Sequence, residues 1–255
     1  MQISDPNFEP GCEIHLQENE VHLWRIDLDK VAAAESRWRG VLSQDERIRA
    51  DRFKFTKDRQ NFTATRALLR TLLGSYLAEN PKELTFVYGQ NEKPSLGPGH
   101  GPEEVQFNVS HSGVRALIAI ARKRPVGVDI EEIRENIDCD SLARRYFSPS
   151  EQAALAALQV SERSRAFFRC WTRKEAYIKA HGTGLALPLH AFDVSIASTE
   201  ENVLLATRPN AVEVALWSIR AIEAGQSHEA ALCVQGRDWV LNSPCEGGSA
   251  EIVRG

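Results

Sequence analysis

Val126-Gly127-Val128-Asp129-Ile130-Glu131 is the stretch on which the reading of this chain turns. It follows a basic turn, Arg122-Lys123-Arg124-Pro125. Apolar residues stand at 126, 128 and 130, the period of two that a strand with one buried face requires. Asp129 and Glu131 therefore project from the other face together, and like charges that close cost stability unless a cation or a basic group neutralises them. Two readings stay open from this pair alone. One is an exposed strand end with solvated acids; the other is a set of hard oxygen ligands of the kind magnesium takes when a phosphate supplies the remainder.

Upstream, Gln106 to Ile120 reads as a turn-linked strand pair. Phe107-Asn108-Val109 leads into Ser110-His111-Ser112-Gly113, and Ala116 to Ile120 is an apolar strand. The Ser-His dipeptide, with Asp129 as a third member, suggests nucleophilic catalysis only weakly, because neighbouring strand residues point to opposite faces. The chain also lacks a G-x-S-x-G elbow. A loop of small polar residues with one histidine serves better as a phosphate cradle.

Downstream, two helical stretches run from about Ser148 to Leu158 and from Arg163 to His181. Ser148 caps the first, Pro149 takes its first helical position, and Glu151 sits three residues on. The second contains Trp171-Thr172-Arg173-Lys174-Glu175-Ala176-Tyr177-Ile178-Lys179. Glu175 and Lys179 are four apart and share a helix face. A surface ion pair is the plain reading; the flanking Phe167, Phe168 and Trp171 favour a cleft.

Further out, Val21 to Leu28 suggests an early strand, and Ser43 to Leu77 a helix that stops before Asn80-Pro81. Its basic residues, Arg47, Arg49, Arg52, Lys54, Arg59, Arg66 and Arg70, read mostly as a solvated face. Asn91 to Pro102, with Lys93-Pro94, is a loop. Strands return at Ala191 to Ile196, Val214 to Ile219 and Ala230 to Val234. Ala116-Leu117-Ile118-Ala119 weakly echoes Ala231-Leu232-Cys233-Val234. Ser243 to Gly255 reads as a loose tail.

Length and charge bound the function. A chain of 255 residues with 42% hydrophobic content and net charge −4 has ample core and no overall basic excess, which argues against a nucleic-acid coat. Five scattered cysteines without C-x-x-C spacing suit a reducing compartment. The start is polar and acidic, and Ala116 to Ala121 is the longest fully apolar run, far short of a bilayer span. The expectation is a soluble, cytoplasmic protein, with neither membrane nor nucleic acid as partner, acting as a monomer.

Three constellations, Asn108 to Gly113, Gly127 to Glu131 and Trp171 to Lys179, together resemble the Sfp-type phosphopantetheinyl transferases in order and rough spacing. The G-[IV]-D-[IVL]-E and W-x-x-K-E-[AS]-x-x-K patterns are complete, and the likeness extends to Lys93-Pro94, to Phe147-Ser148 before Glu151, and to Gly184-Leu185 before Leu187-Pro188-Leu189.

The resemblance implies an α+β fold: a pseudo-dimer of two similar halves, each a small antiparallel sheet packed with a long helix, with coenzyme A in the cleft between them. The halves are expected at 1–123 and 124–242, with 243–255 as the tail. It implies that Asp129, Glu131 and Glu175 bind magnesium with the coenzyme A diphosphate. Ser110, His111 and Lys93 would hold coenzyme A, joined by Lys174, with Arg47 and Arg66 at its nucleotide end. Glu175 and Lys179 are the implied catalytic pair, for attack by a serine of an apo acyl or peptidyl carrier protein and release of 3′,5′-ADP. Two other classes compete: an acyl-transfer hydrolase using Ser110 or Ser112, and an inactive module that keeps the cleft. The presence of all three acids counts against the second.

Overall fold

The computed structural model describes residues 2–4, 14–89, 93–101, 104–197, 203–208 and 210–242; the expected tail at 243–255 lies outside the described residues. A two-residue strand, β1 (Gln2–Ile3), precedes β2 (Glu20–Asp27). Short helices α1 (Leu28–Val31), α2 (Glu35–Arg39) and α3 (Gln44–Asp51) lead to the long α4 (Thr56–Leu77). A small hairpin, β3 (Phe86–Tyr88) and β4 (Pro94–Leu96), is followed by β5 (Val105–Ser112) and β6 (Arg115–Arg122).

The same order then recurs. Strand β7 (Val126–Glu132) is followed by α5 (Cys139–Tyr146), α6 (Pro149–Ala156) and the long α7 (Val160–His181). A second small pair, β8 (Phe192–Val194) and β9 (Leu204–Thr207), precedes α8 (Glu213–Leu216), β10 (Trp217–Ala221) and β11 (His228–Gln235). Strand β12 (Val240–Asn242) returns to pair in parallel with Glu20–His22 of β2.

The two units share one strand order. In each the last strand is central, giving β2-β6-β5 and β7-β11-β10, all antiparallel. The sequence echo at 116–119 and 231–234 therefore falls on two equivalent central strands, β6 and β11. The architecture is an α+β pseudo-dimer in which each half packs a small sheet against a helix of 22 residues. One apolar core lies between the first sheet and α4, around Trp24, Leu68, Leu72 and Ile118. A second lies between the other sheet and α7, around Phe167, Tyr177 and Cys233. A third, with Leu23, Ala119, Val128 and Leu232, joins the sheets to each other.

The repetition extends to the capping chemistry. Ser43 with Glu46 and Ser148 with Glu151 form capping boxes that start α3 and α6. Each box glutamate also pairs with a buried base the same distance along the following long helix. Arg70 Nε lies 2.6 Å from Glu46 Oε2, and Lys174 Nζ lies 2.7 Å from Glu151 Oε1. Each base donates to two carbonyls beyond its helix. Arg70 reaches Pro81 and Leu84 at 2.9 and 2.8 Å. Lys174 reaches Leu189 and Phe192 at 2.8 and 2.7 Å.

Four local expectations are revised. The strand expected from Val214 to Ile219 begins only at Trp217, because Glu213–Leu216 forms α8. The helix expected from Ser43 to Leu77 is two helices, broken at 52–55 without a glycine or proline. The break sets Phe53 against Phe62, with ring centroids 5.3 Å apart. The loop at 91–102 contains β4, which pairs with β3. Ser110-His111-Ser112 is strand, not loop, because β5 stays paired with β6 through Ser112 and turns only at Gly113, where φ is +57°.

Gly127 fixes how closely β7 and α7 approach. A Cβ there would lie 2.2 Å from the Ala176 carbonyl oxygen and 2.3 Å from the Ala180 nitrogen. Only glycine lets the strand carrying Asp129 press onto the helix carrying Glu175 and Lys179. Among the described residues no helix is long and apolar enough to cross a membrane.

Candidate active site

The site forms where an edge strand of each unit meets the other. Strands β5 and β7 face one another through side chains of β5. Asn108 Oδ1 accepts the Val128 N–H at 2.9 Å, Ser110 Oγ the Ile130 N–H at 3.3 Å, and Ser112 Oγ the Glu132 N–H at 3.0 Å. Strand alternation puts these three on one side, so every second amide along β7 meets a polar cap. With the N–H groups donating, the serine protons point at the acids. Ser110 donates to Asp129 Oδ1 at 2.8 Å and Ser112 to Glu131 Oε2 at 2.9 Å.

Helix α7 supplies the opposite wall. Lys179 Nζ donates to Asp129 Oδ1 at 2.6 Å, to Ser110 Oγ at 3.1 Å and to the Val128 carbonyl at 3.3 Å. Asp129 is 3% exposed, and its Oδ2 has no hydrogen-bond partner among the described residues. A buried, unpartnered carboxylate oxygen costs on the order of 1–3 kcal/mol or more, a penalty that a bound cation would offset.

The acids sense one another. Burial and then the Asp129 charge raise the Glu175 carboxyl above the ordinary range; Lys179 opposes this and Glu131 adds to it. Glu131 is raised by burial and by Asp129, against the pull of Ser112, Arg134 and Lys179. Among the described residues no three such side chains are already gathered as a closed metal cage. Lys179 and Ser110 hold one oxygen of Asp129, and Ser112 holds one of Glu131. The donor set, hard oxygens with one orphaned, fits a small divalent cation.

Two further groups from the first unit reach this point. Lys93 Nζ donates to the Lys179 backbone carbonyl at 2.6 Å, and burial, then Lys179, lowers its pKa to about 8. His111 opens its edge to solvent, yet surrounding atoms and then Lys179 hold its pKa below the ordinary value.

The structure thus gathers Lys93, Ser110, His111, Asp129, Glu131, Glu175 and Lys179. It does not gather the rest. Lys174 is corrected: it is 0% exposed and its ammonium is committed to Glu151, Leu189 and Phe192, so it is a structural pin and not a ligand contact. Ser110 is also corrected as a phosphate donor, since its one proton goes to Asp129 and it accepts from Ile130 and Lys179. Arg47 is exposed and donates to the Arg39 carbonyl at 3.1 Å. Arg66 lies apart from the acids, 3.6 Å from Glu46 and over the Phe86 ring at 5.2 Å.

Sequence reasoning did not assign Ser112 or Arg134 to Glu131, which they hold, the latter at 3.8 Å. The period of two from Ser110 to Ser112 was the available signal. It also passed over a cavity of about 570 Å³ lined by Arg49, Arg52, Phe53 and, from β3, Tyr88.

Chemically, a buried Asp129 with one orphaned oxygen, two half-buried glutamates that feel its charge, and two ammonium groups nearby suit a cation and a phosphate ester. They do not favour a serine nucleophile, because Ser110 is buried and each serine Oγ is tied into the seam by accepting a β7 amide.

Comparison with known proteins agrees. Residues 125–233 match the 4′-phosphopantetheinyl transferase superfamily, and residues 32–123 match the 4′-phosphopantetheinyl transferase, N-terminal family. The chain is 39% identical to 4′-phosphopantetheinyl transferase HetI of Nostoc sp. (strain PCC 7120 / SAG 25.82 / UTEX 2576), over 88% of this chain and 91% of that one. It is 30% identical to 4′-phosphopantetheinyl transferase Sfp of Bacillus subtilis (strain 168), over 68% of this chain and 76% of that one. Among solved structures, Thermotoga maritima holo-[acyl-carrier-protein] synthase aligns over 44% of this chain and 63% of that one, with a TM-score of 0.35 and 20% identity. With its acids, its lysines and its doubled fold, the chain belongs to the 4′-phosphopantetheinyl transferase superfamily.

Proposed function

We propose that this enzyme transfers the 4′-phosphopantetheine arm of coenzyme A to a serine of an apo acyl or peptidyl carrier protein, releasing 3′,5′-ADP. The observation that carries the reading is the buried Asp129 at the seam of the two halves, one carboxylate oxygen held by Lys179 and the other without a partner among the described residues, with Glu131 and Glu175 near enough to feel its charge. Asp129, Glu131 and Glu175 would hold Mg²⁺. When bound, it neutralises the diphosphate and polarises the phosphorus under attack.

The protein's own groups do the rest. Glu175, raised by burial, is suited to take the carrier hydroxyl proton directly or through water. Lys179 can offer its ammonium to the phosphoryl oxygens as charge builds on them. Lys93 and His111 stand beside Lys179 and would meet coenzyme A phosphate oxygens. The nucleotide end would extend along the β3–β4 hairpin toward Arg66 and the cavity beside Arg49, Arg52 and Tyr88.

For the carrier, Arg134 stands at the acidic cluster, half-exposed, over the Phe168 ring at 5.9 Å. Arg144 and Arg145 lie exposed on α5. An acidic carrier surface would suit them. Phe147, which follows α5, is buried and stacked on Phe167 at 5.1 Å, so it adds nothing to that surface.

The test is incubation with coenzyme A, Mg²⁺ and several apo carrier proteins, followed by intact mass. One phosphopantetheine added per carrier is expected. No gain on any acyl or peptidyl carrier would overturn the reading.

A further inference from the structure

We propose that Ser112 is a positioning residue for the acidic cluster: its hydroxyl fixes the direction in which Glu131 presents its carboxylate to a divalent cation. This rests on the reading of Asp129, Glu131 and Glu175 as a cation site.

The hydroxyl has no freedom of role. The Glu132 N–H can only donate, and it reaches Ser112 Oγ at 3.0 Å. The Ser112 proton is therefore left for the Glu131 carboxylate, at 2.9 Å. Donation from a fixed hydroxyl favours one carboxylate orientation and leaves the second oxygen for another partner.

Ser112 is itself well held. Its backbone pairs with Arg115 of β6, and His228 Nε2 approaches its carbonyl at 3.3 Å. The next residue, Gly113, turns tightly enough that a Cβ would come within 2.8 Å of Glu132 Oε2. Among the described residues, the Glu131 carboxylate has little else to hold it. Arg134 is 3.8 Å away with half its side chain in solvent, so that pair contributes direction only loosely. Without Ser112 the Glu131 side chain regains its rotamers, and ordering it for a cation costs side-chain entropy.

The strand repeat supplies a control. Asn108 caps β7 in the same way, its Oδ1 accepting the Val128 N–H at 2.9 Å, and that bond touches no acid. If the β5 side chains serve only to join the halves, losing Asn108 and losing Ser112 should have the same kind of effect. If Ser112 also orients Glu131, only its loss should change cation affinity.

Mn²⁺ binding, measured by electron paramagnetic resonance with coenzyme A present and no carrier, separates these cases. Ser112→Ala should weaken Mn²⁺ binding about ten-fold or more. Ser112→Thr keeps the hydroxyl on a strand-compatible side chain and should stay within about three-fold of the parent protein. Asn108→Ala should lower the thermal midpoint and leave Mn²⁺ affinity within about three-fold. Parental affinity in Ser112→Ala, or affinity that merely tracks the thermal midpoint across all three variants, overturns the inference. An unmutated protein that binds no Mn²⁺ overturns the cation reading on which it stands.

Discussion

Lys179 grips Asp129 Oδ1 at 2.6 Å with its ammonium, while Lys93 of the other half grips the carbonyl of Lys179 at 2.6 Å. One residue thus ties the acid cluster to both halves, and in the proposed reaction its charge would face the phosphoryl group. If that charge acts on the transition state, Lys179→Ala should lower kcat by about 10²-fold or more with little change in KM for coenzyme A. A defect cured by excess coenzyme A would show that Lys179 only binds.

Gly127 sets the distance between the two acid-bearing elements. In Gly127→Ala the new Cβ meets the Ala176 oxygen at 2.2 Å, backbone that cannot swing aside. Overpacking of this kind costs about 1–3 kcal/mol. Urea unfolding should show that loss, and transfer should fall with it as β7 and α7 separate. Parental stability would contradict the close approach.

Lys174 and Glu151 form a buried pair with no solvent to take over from either partner. Lys174→Met strands the glutamate, a change worth about 3–5 kcal/mol of stability. At low temperature, where folded protein remains, KM for coenzyme A should be that of the parent. A selective rise in KM would return Lys174 to the ligand site.

Lys93 loses its proton as pH rises through about 8, and a neutral amine no longer attracts phosphate. Its contribution to coenzyme A capture is therefore present below that pH and lost above it. The ratio kcat/KM for coenzyme A should fall above pH 8. In Lys93→Arg the charge persists at higher pH, and this limb should flatten. An unchanged alkaline limb in the arginine variant would remove Lys93 from the phosphate.

Much of this was legible from residues alone, for physical reasons. Alternation through Val126-Gly127-Val128-Asp129-Ile130-Glu131 fixes both the strand and the shared face of its acids, and i to i+4 spacing fixes Glu175 beside Lys179. Ser148 and Glu151 announce α6 because a capping box is a local device. What stayed hidden depends on tertiary pairing. Ser110 and Ser112 look like a loop until β7 arrives to need their hydroxyls. Lys174 looks like a neighbour of the catalytic pair until Glu151 and two carbonyls claim it from another element. The break between α3 and α4 carries no glycine or proline, so nothing local marks it.

The central claim is that the cluster around Asp129 carries out phosphopantetheine transfer. The most direct measurement is the intact mass of an apo carrier after a timed reaction with coenzyme A and Mg²⁺, comparing the parent enzyme with Asp129→Ala at matched folded concentration. The parent should add one phosphopantetheine per carrier, and Asp129→Ala should retain less than about a tenth of the rate, a loss above about 1.4 kcal/mol. Transfer by Asp129→Ala at near the parental rate would contradict the account.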